Sequence, residues 1–258
     1  MKISLIISTY NKPEYLIHCL KSISGLKELP DEIIVADDGS GEETSLVIEQ
    51  FRVQLPVPLI HAWQEDKGFR LARSRNNGLV KSTGDYLIFI DDDLILHPKF
   101  ITDHRRFAEQ ECFYCGSRVR MGPTITAAIM KNHRTNVSCW EGDIQSRLNA
   151  LRIPFLHQII TGPGYTYKRL RGCHMAFWKS DLININGFDE RYNSWGREDS
   201  DIAIRMMHAG VKRINLKWTA ICYHLYHRIE KSDSQNDDLL FEVIRNKTIV
   251  ARIGIKQH

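Results

Sequence analysis

Between Ile3 and Met121, short blocks of apolar, β-rich residues alternate with segments whose apolar positions recur every three or four residues. Ile3 to Ile7 reads as a first strand. Pro13 then opens a segment with apolar residues at Leu16, Cys19, Leu20 and Ile23. That spacing marks one face of a helix, and proline is tolerated in a first helical turn because its missing N–H has no partner there. Glu32 to Ala36 predicts a second strand, Glu42 to Phe51 a second helix, Leu59 to Trp63 a third strand, Gly68 to Val80 a third helix and Asp85 to Ile90 a fourth strand. Pro98 to Gln110 reads as helical and Phe113 to Met121 as one further strand. Such alternation over short connections predicts an α/β fold, a mostly parallel sheet with helices on both faces.

The pattern weakens from Gly122 to Arg171, where Arg147, Arg152, Lys168, Arg169 and Arg171 interleave with Phe155, Tyr165 and Tyr167. A substrate lid, a membrane-facing patch and an insertion with a solvated basic face all fit this stretch. Order returns at Cys173 to Trp178, with a helical turn over Ser180 to Ile185, a turn at Asn186-Gly187 and a helix over Glu198 to Ala209. Three parts follow: 1–121, 122–171 and 172–258.

The fourth strand runs straight into Asp91, Asp92 and Asp93. Side chains alternate along a strand and its extension, so Asp91 and Asp93 point together and offer two hard oxygen ligands to one divalent cation. Unpaired charges at the end of a central strand are costly unless they bind something. The polar clusters Thr9 to Asn11, Asp37 to Ser40 and Asp91 to Asp93 all fall at carboxyl ends of strands, where ligands bind in open α/β sheets.

Composition narrows the field. A chain of 258 residues with 43% hydrophobic content can bury a sizeable core, and a net charge of +4 gives no reason to expect a nucleic-acid partner. Cys112 and Cys115 form a lone Cys-x-x-Cys, without the second pair a zinc site needs. The N-terminal apolar stretch is too short for a signal h-region and no window is long enough to span a membrane, which predicts a cytoplasmic protein with room for peripheral association at an inner membrane.

Ser8-Thr9-Tyr10-Asn11, Asp37-Asp38-Gly39-Ser40, Asp66-Lys67-Gly68, Arg73 with Asn76-Asn77-Gly78, and Gly84-Asp85 before Asp91-Asp92-Asp93 together resemble family 2 glycosyltransferases of the GT-A fold. Downstream, Gly172-Cys173-His174-Met175-Ala176-Phe177, Asn186-Gly187-Phe188-Asp189-Glu190 and Trp195-Gly196-Arg197-Glu198-Asp199-Ser200-Asp201 resemble the C-terminal region of β-1,4-galactosyltransferases and chondroitin-polymerase-like enzymes. The resemblance covers roughly 3–121 and 170–230, and its motifs stand in the family's order.

The resemblance implies an inverting transfer from a nucleoside diphosphate sugar, with UDP-Gal, UDP-GalNAc, UDP-Glc or UDP-GlcNAc as donors and a glycan or lipid-linked acceptor in surface polysaccharide or lipopolysaccharide synthesis. It assigns Thr9, Tyr10 and Asn11 to the floor of the nucleotide pocket, Asp37 to the base, and Asp66 and Arg73 to the donor lining. Asp91 meets the ribose or the metal, Asp93 ligates Mn²⁺ or Mg²⁺, and Asp92 supports them. It places the acceptor-activating base at Asp199, beside Glu198, with Trp195 as a platform for a sugar face. A third metal ligand falls at His227 or His224, since Mn²⁺ accepts imidazole alongside carboxylates. Where the motif commonly carries paired glycines this chain has Gly172-Cys173 and Gly196-Arg197, so Arg197 is a candidate contact to a phosphate or acidic sugar of the acceptor. A nucleotidyltransferase and a non-catalytic carbohydrate-binding protein are the alternatives. The first would carry a glycine- and basic-rich loop after its first strand, where this chain has Thr9-Tyr10-Asn11-Lys12-Pro13.

Overall fold

The computed structural model describes residues 1–160, 170, 172–227 and 234–257. Strands β1 (Ile3–Thr9), β2 (Glu32–Asp37), β3 (Leu59–Trp63) and β4 (Tyr86–Asp91) alternate with helices α1 (Pro13–Ser24), α2 (Glu42–Arg52) and α3 (Leu71–Lys81). They are followed by β5 (Leu94–Leu96), α4 (Phe100–Phe107), β6 (Cys112–Gly116), β7 (Arg118–Met121), α5 (Pro123–Asn132), β8 (Ile144–Gln145) and α6 (Pro154–Ile160). The C-terminal part adds β9 (His174–Trp178), α7 (Lys179–Asn184), α8 (Glu198–His208), β10 (Lys212–Leu216), β11 (Cys222–His224) and α9 (Ser234–Arg245).

The larger sheet has the order β10-β6-β9-β4-β1-β2-β3, and only β9 runs against its neighbours. Strand alternation sends Leu5, Ile7, Ile33, Val35, Ile88 and Ile90 to one face, where α1, α2 and α4 cover them with Leu16, Ile48 and Phe100. Ile6, Ile34, Leu87, Phe89 and Phe177 go to the other face, beneath α3 and α8. Close approach of α3 needs Gly78, since a Cβ there would lie 2.8 Å from Ile6.

A smaller sheet, β5-β11-β7-β8, stands beside the larger one. The segment Phe113 to Met121, expected as one strand, is two: the chain leaves the large sheet after Gly116 and enters the small one at Arg118. A Cβ at Gly116 would lie 1.7 Å from His174 Nδ1, so the glycine lets the buried His174 fill the corner between the sheets. The third helix begins at Leu71 rather than Gly68, which sits at φ +81° in the preceding loop.

The insertion 122–171 is not wholly solvated. Arg152 reaches back to Asp103 of α4, whose carboxylate also accepts the Ala220 N–H at 2.9 Å. Tyr165, Tyr167, Lys168, Arg169 and Arg171 lie outside the described residues. No helix among the described residues is long and apolar enough to cross a membrane.

Candidate active site

The carboxyl ends of β1, β2 and β4 are laced together. Asp92 donates its N–H to Ser8 O, Asp38 donates to Thr9 O, and the Thr9 hydroxyl donates to Asp92 Oδ2 at 2.7 Å. Burial and the adjoining Asp93 charge push the Asp92 carboxyl up to about 8 against the lowering effect of Thr9. Asp92 is thus buried at the strand ends, tied to Thr9. Asn11 takes φ +49°, and its Oδ1 accepts the Gly41 N–H while its own N–H donates to Ser40 Oγ, which joins the first two polar loops.

Tyr10 and Asp66 meet on the exposed side of this floor, the phenol donating to Asp66 Oδ2 at 3.0 Å. Gly39, at φ +99°, permits that approach, because any Cβ would fall 2.5 Å from the Asp66 Cα. Asp37 is fully buried: Oδ1 accepts from Ser40 N–H, and His61 Nε2 lies 2.8 Å from Oδ2. Burial works against its ionisation, yet these bonds hold its pKa below the ordinary value.

Asp93 and two histidines form a compact cluster. His227 Nε2 lies 3.0 Å and His224 Nε2 3.6 Å from Asp93 Oδ2, and the three ligand atoms fall within 4.8 Å of one another. Strand pairing makes the cluster: β11 runs antiparallel to β5 with His224 opposite Leu94, next to Asp93, and Leu225 donates its N–H to Asp93 O. Burial alone would raise the Asp93 pKa, but the bond from His227 and the nearby imidazoles bring it below the usual carboxylate value. Desolvation lowers the His224 pKa against the raising effect of Asp93, which favours the neutral ring, the form that ligates metal. Asp93 Oδ1 is buried with no hydrogen-bond partner, an orphaned acceptor inside a carboxylate–imidazole set. A carboxylate with two imidazoles is a donor set for a first-row divalent cation.

Asp91 is turned to another partner. Its Oδ1 lies 3.1 Å from Nη2 of Arg75, whose Nη1 lies 3.2 Å from Glu198 Oε1 and whose Nε donates to Ser8 Oγ. Arg75 is among the largest fully buried side chains, packed over the Phe188 ring. Burial and the Asp199 charge push Glu198 up to about 7, opposed by Arg75, and its Oε2 is buried without a partner.

Asp199 is half-buried on the first turn of α8. Its Oδ1 accepts the Ser200 N–H at 2.6 Å and the Ser200 hydroxyl at 3.1 Å. A Cβ at Gly172 would stand 2.9 Å from Asp199 Cβ, so the glycine lets its backbone pack close against Asp199. Arg197 adopts φ +78°, the left-handed region where glycine is at ease, and its guanidinium bonds Asp237 of α9. Asn236, nearly fully buried, donates to Ser194 O at 3.0 Å and Gly196 O at 2.7 Å and so holds the loop that carries the partly exposed Trp195.

Thus Thr9, Asn11 and Asp92 share one hydrogen-bonded floor, Tyr10 joins Asp66, Asp93 joins both His224 and His227, and Asp91 joins Glu198 through Arg75. Arg73 stands apart, exposed and 3.8 Å from Glu190. Sequence reasoning missed Arg75, Asn236 and His61. For Arg75 a signal existed, because Ser74, Arg75 and Asn76 put polar side chains where α3 turns towards the sheet. Nothing in the sequence marked Asn236.

Residues 4–169 match the family described as glycosyl transferase family 2, and residues 157–228 match that described as N-terminal domain of galactosyltransferase. The hyaluronan synthase of Pasteurella multocida is 25% identical over 81% of this chain and 23% of its own length. The chondroitin synthase of Escherichia coli is 23% identical over 81% of this chain and 32% of its own. The chain therefore spans less than half the length of these curated relatives. Among solved structures, S. aureus TarS 1–349 in complex with UDP superposes with a TM-score of 0.66 at 18% identity, covering 100% of this chain and 68% of that 1–349 fragment. A Pyrobaculum calidifontis mannosyltransferase in complex with GDP-Man and Mn²⁺ gives 0.59 at 17% identity over 88% of this chain and 57% of its own.

Proposed function

Because the chain belongs to glycosyl transferase family 2 and has the GT-A fold, we propose that it is a metal-dependent, inverting glycosyltransferase that moves one hexosyl unit from a UDP-sugar to a hydroxyl of a glycan or lipid-linked acceptor. UDP-Gal, UDP-GalNAc, UDP-Glc and UDP-GlcNAc are the donors to consider. The observation that carries this reading is the Asp93–His224–His227 cluster, joined at Asp91 through Arg75 to the Glu198-Asp199 segment.

Tyr10 offers a stacking face at the nucleotide end, where Asp66 supplies an acceptor for base or ribose N–H and O–H groups and the buried Asp37 fixes the loop beside it. Thr9, Asn11 and Asp92 fix the floor beneath, and Arg73 lies at the outer rim. Asp93, His224 and His227 would hold Mn²⁺ or Mg²⁺, with Asp91 beside them. The ion, when bound, supplies counter-charge for the departing diphosphate.

Inversion is a single in-line displacement. Asp199 accepts the proton of the acceptor hydroxyl, the freed oxygen lone pair forms the new bond to the anomeric carbon, and the bond to the UDP oxygen breaks with its electrons leaving on UDP. Asp199 suits the role better than Glu198, because Glu198 is buried against Arg75 whereas Asp199 is only half-buried. Trp195 offers the acceptor sugar an apolar face, and Glu198 and Arg197 shape the same loop.

The test is a donor screen for UDP release in the presence of Mn²⁺ and a glycan acceptor panel. Asp199→Asn should abolish acceptor-dependent release while UDP binding persists; surviving transfer would place the base elsewhere.

A further inference from the structure

We infer that the outer rim of the insertion is a docking surface for an anionic lipid bilayer. Trp140, Leu148 and Phe155 are 83%, 71% and 61% exposed, and all three belong to residues 122–160. Exposed large apolar side chains are ordinary when scattered, but these are linked through their backbones. Arg147 Nη1 donates to Cys139 O, beside Trp140; Trp218 Nε1 donates to Leu148 O; and Ile153, two residues before Phe155, donates its N–H to Trp218 O. Trp218 is thus the hub of the rim, held at φ +62°, a conformation rare for a bulky side chain and therefore a pointer to a constraint beyond local comfort.

Charge selects the partner. Arg147 and Lys217 are the cations of the rim, with the Lys217 ammonium 4.3 Å above the Trp218 ring. The acids of the insertion are already committed, Glu141 to Arg134 and Ser138, Asp143 to the Thr124 N–H. An aromatic and basic rim whose two neighbouring acids are already partnered matches the interface of an anionic membrane, where Trp sits at headgroup depth and each nearby Lys or Arg adds attraction.

The position fits a surface on which a lipid-linked acceptor is presented. Trp218 lies six residues before His224 along the β10–β11 connection, so at most about 20 Å of chain separates the rim from the metal cluster. Asp103 anchors both sides of the rim, taking Arg152 from the insertion and the Ala220 N–H from that connection. The inference does not depend on the identity of the sugar transferred.

Flotation of the purified full chain with vesicles of phosphatidylcholine alone, and with phosphatidylglycerol added, tests it. The wild type should float with the anionic vesicles, and Arg147→Glu/Lys217→Glu should bind them at least about tenfold more weakly. Trp140→Ser/Leu148→Ser/Phe155→Ser should lose flotation while keeping the wild-type melting temperature. Wild-type flotation by both variants, equal binding to both vesicle types, or a Trp140 emission that responds to protein concentration or oligosaccharide but not to vesicles would overturn the proposal.

Discussion

Arg75 Nη1 stands 3.2 Å from Glu198 Oε1 while the same guanidinium holds Asp91 at 3.1 Å. One buried cation thus fixes the end of β4 against the start of α8, so the acidic triplet and the Glu198-Asp199 segment keep one relative position. Removing one partner of a buried pair leaves uncompensated charge and costs about 3–5 kcal/mol. Arg75→Ala should destabilise by that order in urea unfolding. Arg75→Lys keeps the charge but not the planar fork, so stability should fall less while transfer still drops sharply. An Arg75→Ala variant as stable as wild type would refute the tie.

The raised pKa of Glu198 makes a pH prediction. Between its ordinary value of 4.5 and about 7 the folded carboxyl keeps a proton that the unfolded chain releases. Folded proteins that bind the extra proton lose stability as pH rises through that window. Asp92, pushed to about 8, adds a slope of the same sign. The difference between wild type and Glu198→Gln isolates Glu198: the variant should show a flatter decline in melting temperature from pH 5 to 7. Parallel profiles would place the titration elsewhere.

His224 and His227 sit on the same oxygen of Asp93. Isothermal titration with Mn²⁺ should show each His→Ala variant binding more than about tenfold weaker than wild type, since each removes one of few donors. Unchanged affinity in either variant removes that histidine from the set.

The parallel sheet, its helices and the polar loops at the strand ends were legible from Ile3 to Ile90 because apolar periodicity reports burial directly. The split after Gly116 was not, since Cys112 to Met121 stays β-rich throughout and only contact with His174 forces the corner. Sequence could not choose between His224 and His227, because both lie next to Asp93 only once β11 pairs with β5. Arg75 escaped for a related reason: its partners Asp91 and Glu198 are far apart in the chain and meet through sheet order.

Arg197 offers a stability test with opposing contributions. Glycine at φ +78° would relieve about 1 kcal/mol of left-handed strain. Losing the half-exposed pair with Asp237 costs about as little, 0–1 kcal/mol. Arg197→Gly should therefore melt close to wild type. Asn236→Ala should lower the rate of transfer more than it weakens UDP binding, because it frees the Ser194 and Gly196 carbonyls that shape the Trp195 loop. Equal losses in both would reduce Asn236 to a general fold contact.

The central claim is metal-dependent sugar transfer at the Asp93 cluster. The most direct measurement is UDP release from the preferred UDP-sugar, with and without Mn²⁺, by wild type and by Asp93→Ala. The account predicts turnover that requires Mn²⁺, stops on chelation and is absent from Asp93→Ala even though that variant remains folded. Full turnover by Asp93→Ala, or by the chelated wild type, would contradict it.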